Sequence, residues 1–108
     1  MAASELKRRV RIERRERRQD ELGQPVDQWV EVVTTWASVG SLTGKELLRS
    51  NAVVGSAATS IRIRYRKDIR SGMRIVVDGW VYHIVQPLPH VNSRAFMDLA
   101  CRASFGDD

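Results

Sequence analysis

Apolar and charged residues alternate with a period of two along much of this chain, and that alternation restricts the fold more than any other feature. Ile61, Ile63 and Tyr65 alternate with Arg62, Arg64 and Arg66, which predicts a strand with one apolar and one basic face. Val10 and Ile12 alternate with Arg9, Arg11 and Glu13, predicting a strand from about Lys7 to Glu16. Arg and Glu also suit a helix, but the apolar positions there do not recur every three or four residues. Ala95, Met97, Leu99, Cys101 and Ala103 alternate with Phe96, Asp98, Arg102 and Ser104 in a closing strand. Arg74 to Val77 and Trp80 to Val85 flank Asp78-Gly79, a hairpin signal because both turn positions favour positive φ.

The rest of the chain fits the same plan. Asp20-Glu21-Leu22-Gly23-Gln24-Pro25 reads as a loop, with Gly23 free to take positive φ and Pro25 lacking a ladder donor. Gln28 to Val39 is rich in Trp, Val and Thr, a strand composition. Its faces are Trp29, Val33, Ala37 and Val39 on one side, and Val30, Val32, Trp36 and Ser38 on the other. A long strand with apolar groups on both sides suits a barrel, or a sheet that also meets another subunit. Ser41 or Thr43 can cap one short helix, and Glu46 follows Thr43 at the capping-box spacing. Leu47, Leu48 and Val54 give it a weak apolar stripe, and Gly55-Ser56-Ala57-Ala58 ends it. Residues 41–58 therefore read as a mobile excursion carrying a short helix. Lys67 to Gly72 reads as a turn, and Pro87 and Pro89 as breaks in the ladder. About six strands and one helix without a βαβ rhythm predict a mainly β domain spanning residues 1–108, a small antiparallel β-barrel.

Length and charge narrow the class. With 108 residues the chain suffices for one domain. No apolar run approaches the roughly 18 residues of a membrane span, and the charged N-terminal segment lacks the apolar stretch of a signal peptide. The single Cys101 cannot build a disulfide framework. Of 18 basic residues, Lys7, Arg8, Arg9, Arg11, Arg14, Arg15, Arg17 and Arg18 precede residue 19, against Glu5, Glu13 and Glu16. That segment accounts for the whole formal charge of +5, so the basic character is local.

Catalytic chemistry finds little support. His83 opposes Tyr82 and Ile84 in strand parity and reads, like His90, as a surface histidine. Cys101 falls on the apolar face of the last strand and reads as a buried inert thiol. No zinc-ligand spacing or phosphate-cradling glycine loop occurs, so no metal and no cofactor is expected. Asp20, Glu21, Asp27, Asp78 and Asp98 read mostly as turn residues. The chain is not expected to be an enzyme.

The basic rows leave two readings open. Arg62, Arg64 and Arg66 share a face with about 7 Å between neighbours, a spacing that could track phosphates. Single-strand readers add exposed aromatics, whereas Tyr65 lies on the opposite face and Trp29, Trp36 and Trp80 read as core or interface. The other reading has these arginines, with Arg8, Arg9 and Arg11, pairing with carboxylates or docking against a subunit or partner.

In order and spacing, a set of segments resembles the head–tail joining proteins of long-tailed phages, also called head-closure or stopper proteins. The segments are Leu6-Lys7-Arg8-Arg9-Val10-Arg11-Ile12; Asp20-Glu21-Leu22-Gly23-Gln24-Pro25-Val26 leading to Trp29; Trp36-Ala37-Ser38-Val39; and Thr43-Gly44-Lys45-Glu46. Ile61-Arg62-Ile63-Arg64-Tyr65-Arg66, Met73-Arg74-Ile75, Asp78-Gly79-Trp80-Val81-Tyr82-His83-Ile84 and Leu99-Ala100-Cys101 continue it. Pro87-Leu88-Pro89-His90 departs from the more acidic, polar loop of the family pattern. The resemblance implies a homo-oligomeric ring of six or twelve copies in the virion neck, made in the host bacterial cytoplasm. The ring would sit below the portal or adaptor, close the DNA-filled head, and receive a tail terminator or tail tube protein, with packaged double-stranded DNA in its channel and no membrane. It also implies that the excursion narrows the channel, with Lys45, Arg49 and Asn51 facing the lumen. The competing class is a small β-barrel that binds nucleic acid.

Overall fold

A computed structural model describes residues 6–50 and 58–104. Six strands and one helix follow in the order β1 (Arg8–Gln19), β2 (Pro25–Ser41), α1 (Gly44–Ser50), β3 (Thr59–Arg64), β4 (Arg74–Val77), β5 (Trp80–Pro89) and β6 (Phe96–Ser104). All neighbouring strands run antiparallel, and the order β1-β2-β3-β6-β5-β4 closes into a barrel. Closure depends on a short pairing of β1 with β4, Arg11 to Glu13 against Arg74 to Val76. The mainly β architecture with one short helix is the one the alternation predicts.

The alternating apolar positions meet inside. Val10, Ile12, Ala37, Ile61, Ile63, Ile75, Met97, Leu99 and Cys101 are all essentially inaccessible, and Tyr65 and Tyr82 pack against them. Burying one such aliphatic side chain stabilises the fold by about 1.5–3 kcal/mol. Ile69 and Met73, in and beside the β3–β4 connection, join the same cluster. The β4–β5 turn has Asp78 at φ 51° and Gly79 at φ 82°, the paired left-handed positions of a two-residue hairpin.

Two bulges shape the wall. Ile12 faces Val33 while Glu13 faces Glu31, so Val32 is an extra residue in β2. Ile84 faces Cys101 while Gln86 faces Ala100, so Val85 is extra in β5. A bulge reverses the inside–outside parity, which is why both faces of β2 carry apolar residues.

Several elements differ from expectation. β1 and β2 are longer than read: beyond β4's reach, residues 14–19 pair only with 25–30. They form a two-stranded arm of about 20 Å at the usual strand rise. Pro87 and Pro89 do not break the ladder; they lie within β5 opposite Leu99 and Met97. β4 pairs only as far as His83, so the prolines occupy a stretch with a single neighbour, where a missing donor is tolerated. Trp36 and Trp80 are half exposed, which excludes the core and leaves the interface alternative for both. Asp27 and Asp98 lie in strands rather than turns. Leu48 is exposed, so no apolar stripe runs through it; the side chain of Leu47 and residue Val54 lie outside the described residues, as does the excursion from 51 to 57.

Candidate functional site

The excursion begins with a capped helix. Thr43 Oγ1 accepts the Glu46 amide at 3.1 Å, and the Glu46 carboxylate accepts the Thr43 amide at 2.9 Å. Thr43, not Ser41, is therefore the cap, and both halves of the capping box form. A seven-residue helix is too short to persist alone in water, so its contacts with the barrel decide whether it stays in place.

Three side chains make those contacts. Arg49 donates through Nη2 to the Pro89 carbonyl at 2.7 Å. Ser60 Oγ lies 3.4 Å from the second Glu46 carboxylate oxygen. Beside this contact, Asp98 binds Arg62 through two hydrogen bonds of 2.7 and 3.1 Å and His90 Nε2 at 3.2 Å. Burial pushes the Asp98 carboxyl up, but the Arg62 hydrogen bonds and charge, with the His90 hydrogen bond, outweigh it and hold the group below its ordinary value. His90 is thus a partly buried partner of Asp98 rather than a plain surface histidine. Lys45, Arg49, His90 and Asp98 border a recess of about 310 Å³ where the helix meets the 90–93 loop.

Of the three residues expected on the excursion, Lys45 is exposed, Arg49 is engaged on Pro89, and Asn51 lies outside the described residues. The Pro87-Leu88-Pro89-His90 segment, which departs from the family pattern, is the surface on which α1 rests.

The basic rows resolve into individual partners. Arg62 holds Asp98, Arg66 holds Asp68 at 2.8 Å, and Arg64 lies over the Phe96 ring. The Asp68 carboxyl is lowered, chiefly by the Arg66 hydrogen bond. The three guanidinium groups thus form no free phosphate track, which removes the main support for a nucleic-acid-binding barrel. Arg8 pairs with Asp78, Arg9 lies over Trp36, and Arg11 pairs with Glu13 at 2.7 Å.

Glu13 was read only as one member of an alternating strand, yet it is a buried anchor on the outer wall. It accepts from Arg11 and from Arg74, each at 2.7 Å. The Arg74 guanidinium lies 4.3 Å from the Trp29 ring centroid, and the His83 ring lies 6.3 Å away on the same indole. The bulge at Val32 turns Trp29 and Glu13 to the same side, and no local pattern announces it. Cys101 is buried, its thiol is pushed up by burial, and it rests on the Leu99 carbonyl. Among the described residues, no group of three or more His, Cys, Asp and Glu side chains could hold a metal ion. No helix among them is long and apolar enough to cross a membrane.

Comparison with known proteins decides the family. The model of the phage head completion protein family matches residues 1–104. The chain belongs to that family. A protein of Shigella flexneri 2a, known from a solution structure, is 34% identical with a TM-score of 0.75, covering 95% of this chain and 96% of that one. A chain from the virion of a native gene transfer agent particle shares the fold, with a TM-score of 0.62 at 18% identity over 92% of this chain and 96% of that one. No curated protein matches. The resemblance read from the sequence therefore holds: this head completion protein has a structural role in closing the head of a virion.

Proposed function

We propose that this head completion protein is a connector of the virion neck, a ring of six or twelve copies below the portal or adaptor. The ring closes the DNA-filled head and offers the attachment site for a tail terminator or tail tube protein. It works without catalysis. The observation that carries the reading is the family match across the barrel and its excursion together.

The excursion is the gate. A short helix on a long connection is held to the barrel by a few polar contacts, Arg49 to Pro89 and Glu46 to Ser60. Such an element moves at low free-energy cost compared with the barrel that carries it. Lys45 and Arg49, with Asn51 further along, are the groups proposed to face the lumen. Repeated around a ring, one basic side chain per copy makes a positive collar whose hold on phosphates falls as salt rises. The exposed Arg9 and Arg64 remain candidates for docking against a subunit or partner, as does Arg8 together with the Asp78 it pairs with. Arg11, Arg62 and Arg66 already hold carboxylates of their own chain, so their contribution to docking is the polar surface of those pairs.

Heads assembled without the chain should fill with DNA, lose it, and carry no tails in electron micrographs. Heads assembled with residues 45–56 deleted should form but leak. Unchanged DNA retention in the deletion would remove the gate, and normal tailed particles without the chain would remove the connector.

A further inference from the structure

The arm formed by the far halves of β1 and β2 ends in a rigid acidic tip, while the base of the same arm borders a basic recess. We infer that the tip, Asp20-Glu21-Leu22, docks into the recess of a neighbouring copy. This inference rests on the ring reading above and names one of its subunit contacts.

The recess is a cavity of about 720 Å³ between the arm, the β3–β4 connection, β5 and β6. Arg14, Arg15, Arg70, His83 and Arg102 are among the residues that line it, and no acidic residue is. Arg14 pairs with Glu16, whereas Arg15, Arg70 and Arg102 make no close ion pair among the described residues, Arg70 acting on Asp68 only through space. That sets them apart from the chain's other arginines, most of which hold a carboxylate. Arg15 lies over Trp29, 5.1 Å from the ring centroid, so one guanidinium is already oriented.

The tip has the complementary chemistry. The Asp20 carboxylate accepts the Leu22 and Gln24 amides, both at 2.9 Å, and the Asp20 amide donates to the Gln24 carbonyl. Gly23, at φ 81°, completes the turn and donates to the Asp20 carbonyl. This network holds the loop in one shape and leaves Glu21 and Leu22 pointing outward, Leu22 with 84% of its surface exposed. An ordered tip loses little conformational freedom on docking. Exposed Glu21 and the outer oxygen of Asp20 match the recess arginines in charge.

The arm is a continuously paired antiparallel ribbon from Arg14–Val30 to Gln19–Pro25, so the tip stands about 20 Å from the recess at its own base and is held away from it. The contact must be between molecules. A tip and a recess at different places on one chain make a head-to-tail contact, the kind that closes rings. A duplex about 20 Å across is too wide to enter the recess, whereas a four-residue turn fits its volume.

The test compares full-length chains by sedimentation over a range of concentrations and salt. One variant reverses the recess, Arg70→Glu with Arg102→Glu; the other alters the tip, Asp20→Ser with Glu21→Lys, serine keeping an acceptor for the turn. The wild-type chain should self-associate, and each variant alone should do so about a hundredfold more weakly, as like charges then meet. Mixing the two should restore a heterodimer at wild-type strength, because one supplies an intact tip and the other an intact recess. Circular dichroism on each variant checks that the barrel is retained. Rings that form equally well from either variant would overturn the contact while leaving the connector role standing. A wild-type chain that stays monomeric throughout would overturn it as a self-contact, and tailed, DNA-retaining particles would then still speak for the connector. A recess variant that associates normally but loses affinity for duplex DNA would assign the recess to nucleic acid and overturn the proposal too.

Discussion

Arg62 on β3 and Asp98 on β6 stand directly opposite each other and are joined by two hydrogen bonds, from Nε to Oδ1 and from Nη2 to Oδ2. The bidentate geometry is the strong form of this pairing, and both side chains are largely withdrawn from solvent. The pair does two things at once. It ties two neighbouring strands of the barrel, and through His90 it reaches the loop beside the surface on which α1 rests.

Asp98→Ala should therefore destabilise the protein well beyond a typical surface change. It leaves the Arg62 guanidinium half enclosed without its carboxylate, at a cost of about 2–3 kcal/mol. In a chain of this size that lowers the melting temperature by roughly 10–15 °C. Asp98→Asn, which keeps an acceptor, should lose less. Calorimetry on the two variants checks the order, and equal melting temperatures for Asp98→Ala and wild type would contradict it.

The same carboxylate makes stability depend on acid. Its folded value lies below the ordinary 3.8, so the unfolded chain takes up the proton first. Its contribution is complete above pH 3.8 and is lost as pH falls through the lower folded value. Chemical denaturation from pH 6 down to pH 2, an interval of about four units, should show wild type losing more stability than Asp98→Asn at the acid end. Parallel curves would rule this out.

Thr43→Ala removes the acceptor for the Glu46 amide and weakens the cap by about 1 kcal/mol. Because α1 is short and peripheral, the loss should appear locally. Hydrogen exchange at residues 45–50 should speed up while β3 and β6 amides remain protected. Uniform acceleration across the barrel would mean that the helix is a structural part of it.

Gly79→Val places a β-branched residue at φ 82°, where left-handed backbone costs an L-residue about 1–2 kcal/mol. The β4–β5 turn should lose that much stability, measured by thermal unfolding. Asp78→Gly should lose less at the turn, since Asp78 already sits at φ 51° and glycine accepts that conformation, though its pairing with Arg8 goes.

Much of this was legible along the chain. The Ile61-Ile63-Tyr65 alternation, the Asp78-Gly79 turn, the Thr43–Glu46 box and buried Cys101 each depend on backbone sterics or side-chain direction over a few residues, and each is found where it was read. The prolines were misread because their effect depends on how far β4 extends alongside β5. Of the two places read for Trp36 and Trp80, core or interface, the structure excludes the core, because the barrel interior is already filled by isoleucine, leucine and methionine. At the candidate site the helix and its cap were visible, but its seat on Pro89 was not.

The sequence by itself determined the strand period, the turns and the capped helix, because those follow from interactions among near neighbours, and the family, because the order and spacing of its segments are written along the chain. Only the tertiary structure decided which arginine meets which acid. Arg62 and Asp98 are 36 positions apart, and Glu13 and Arg74 are 61 apart. Such pairs are chosen by strand register, and register is fixed when bulges at Val32 and Val85 and the β1–β4 seam let six strands close around one apolar core. The same closure leaves the end of β1 and β2 without further neighbours, which is why an arm projects where the sequence showed only a charged strand.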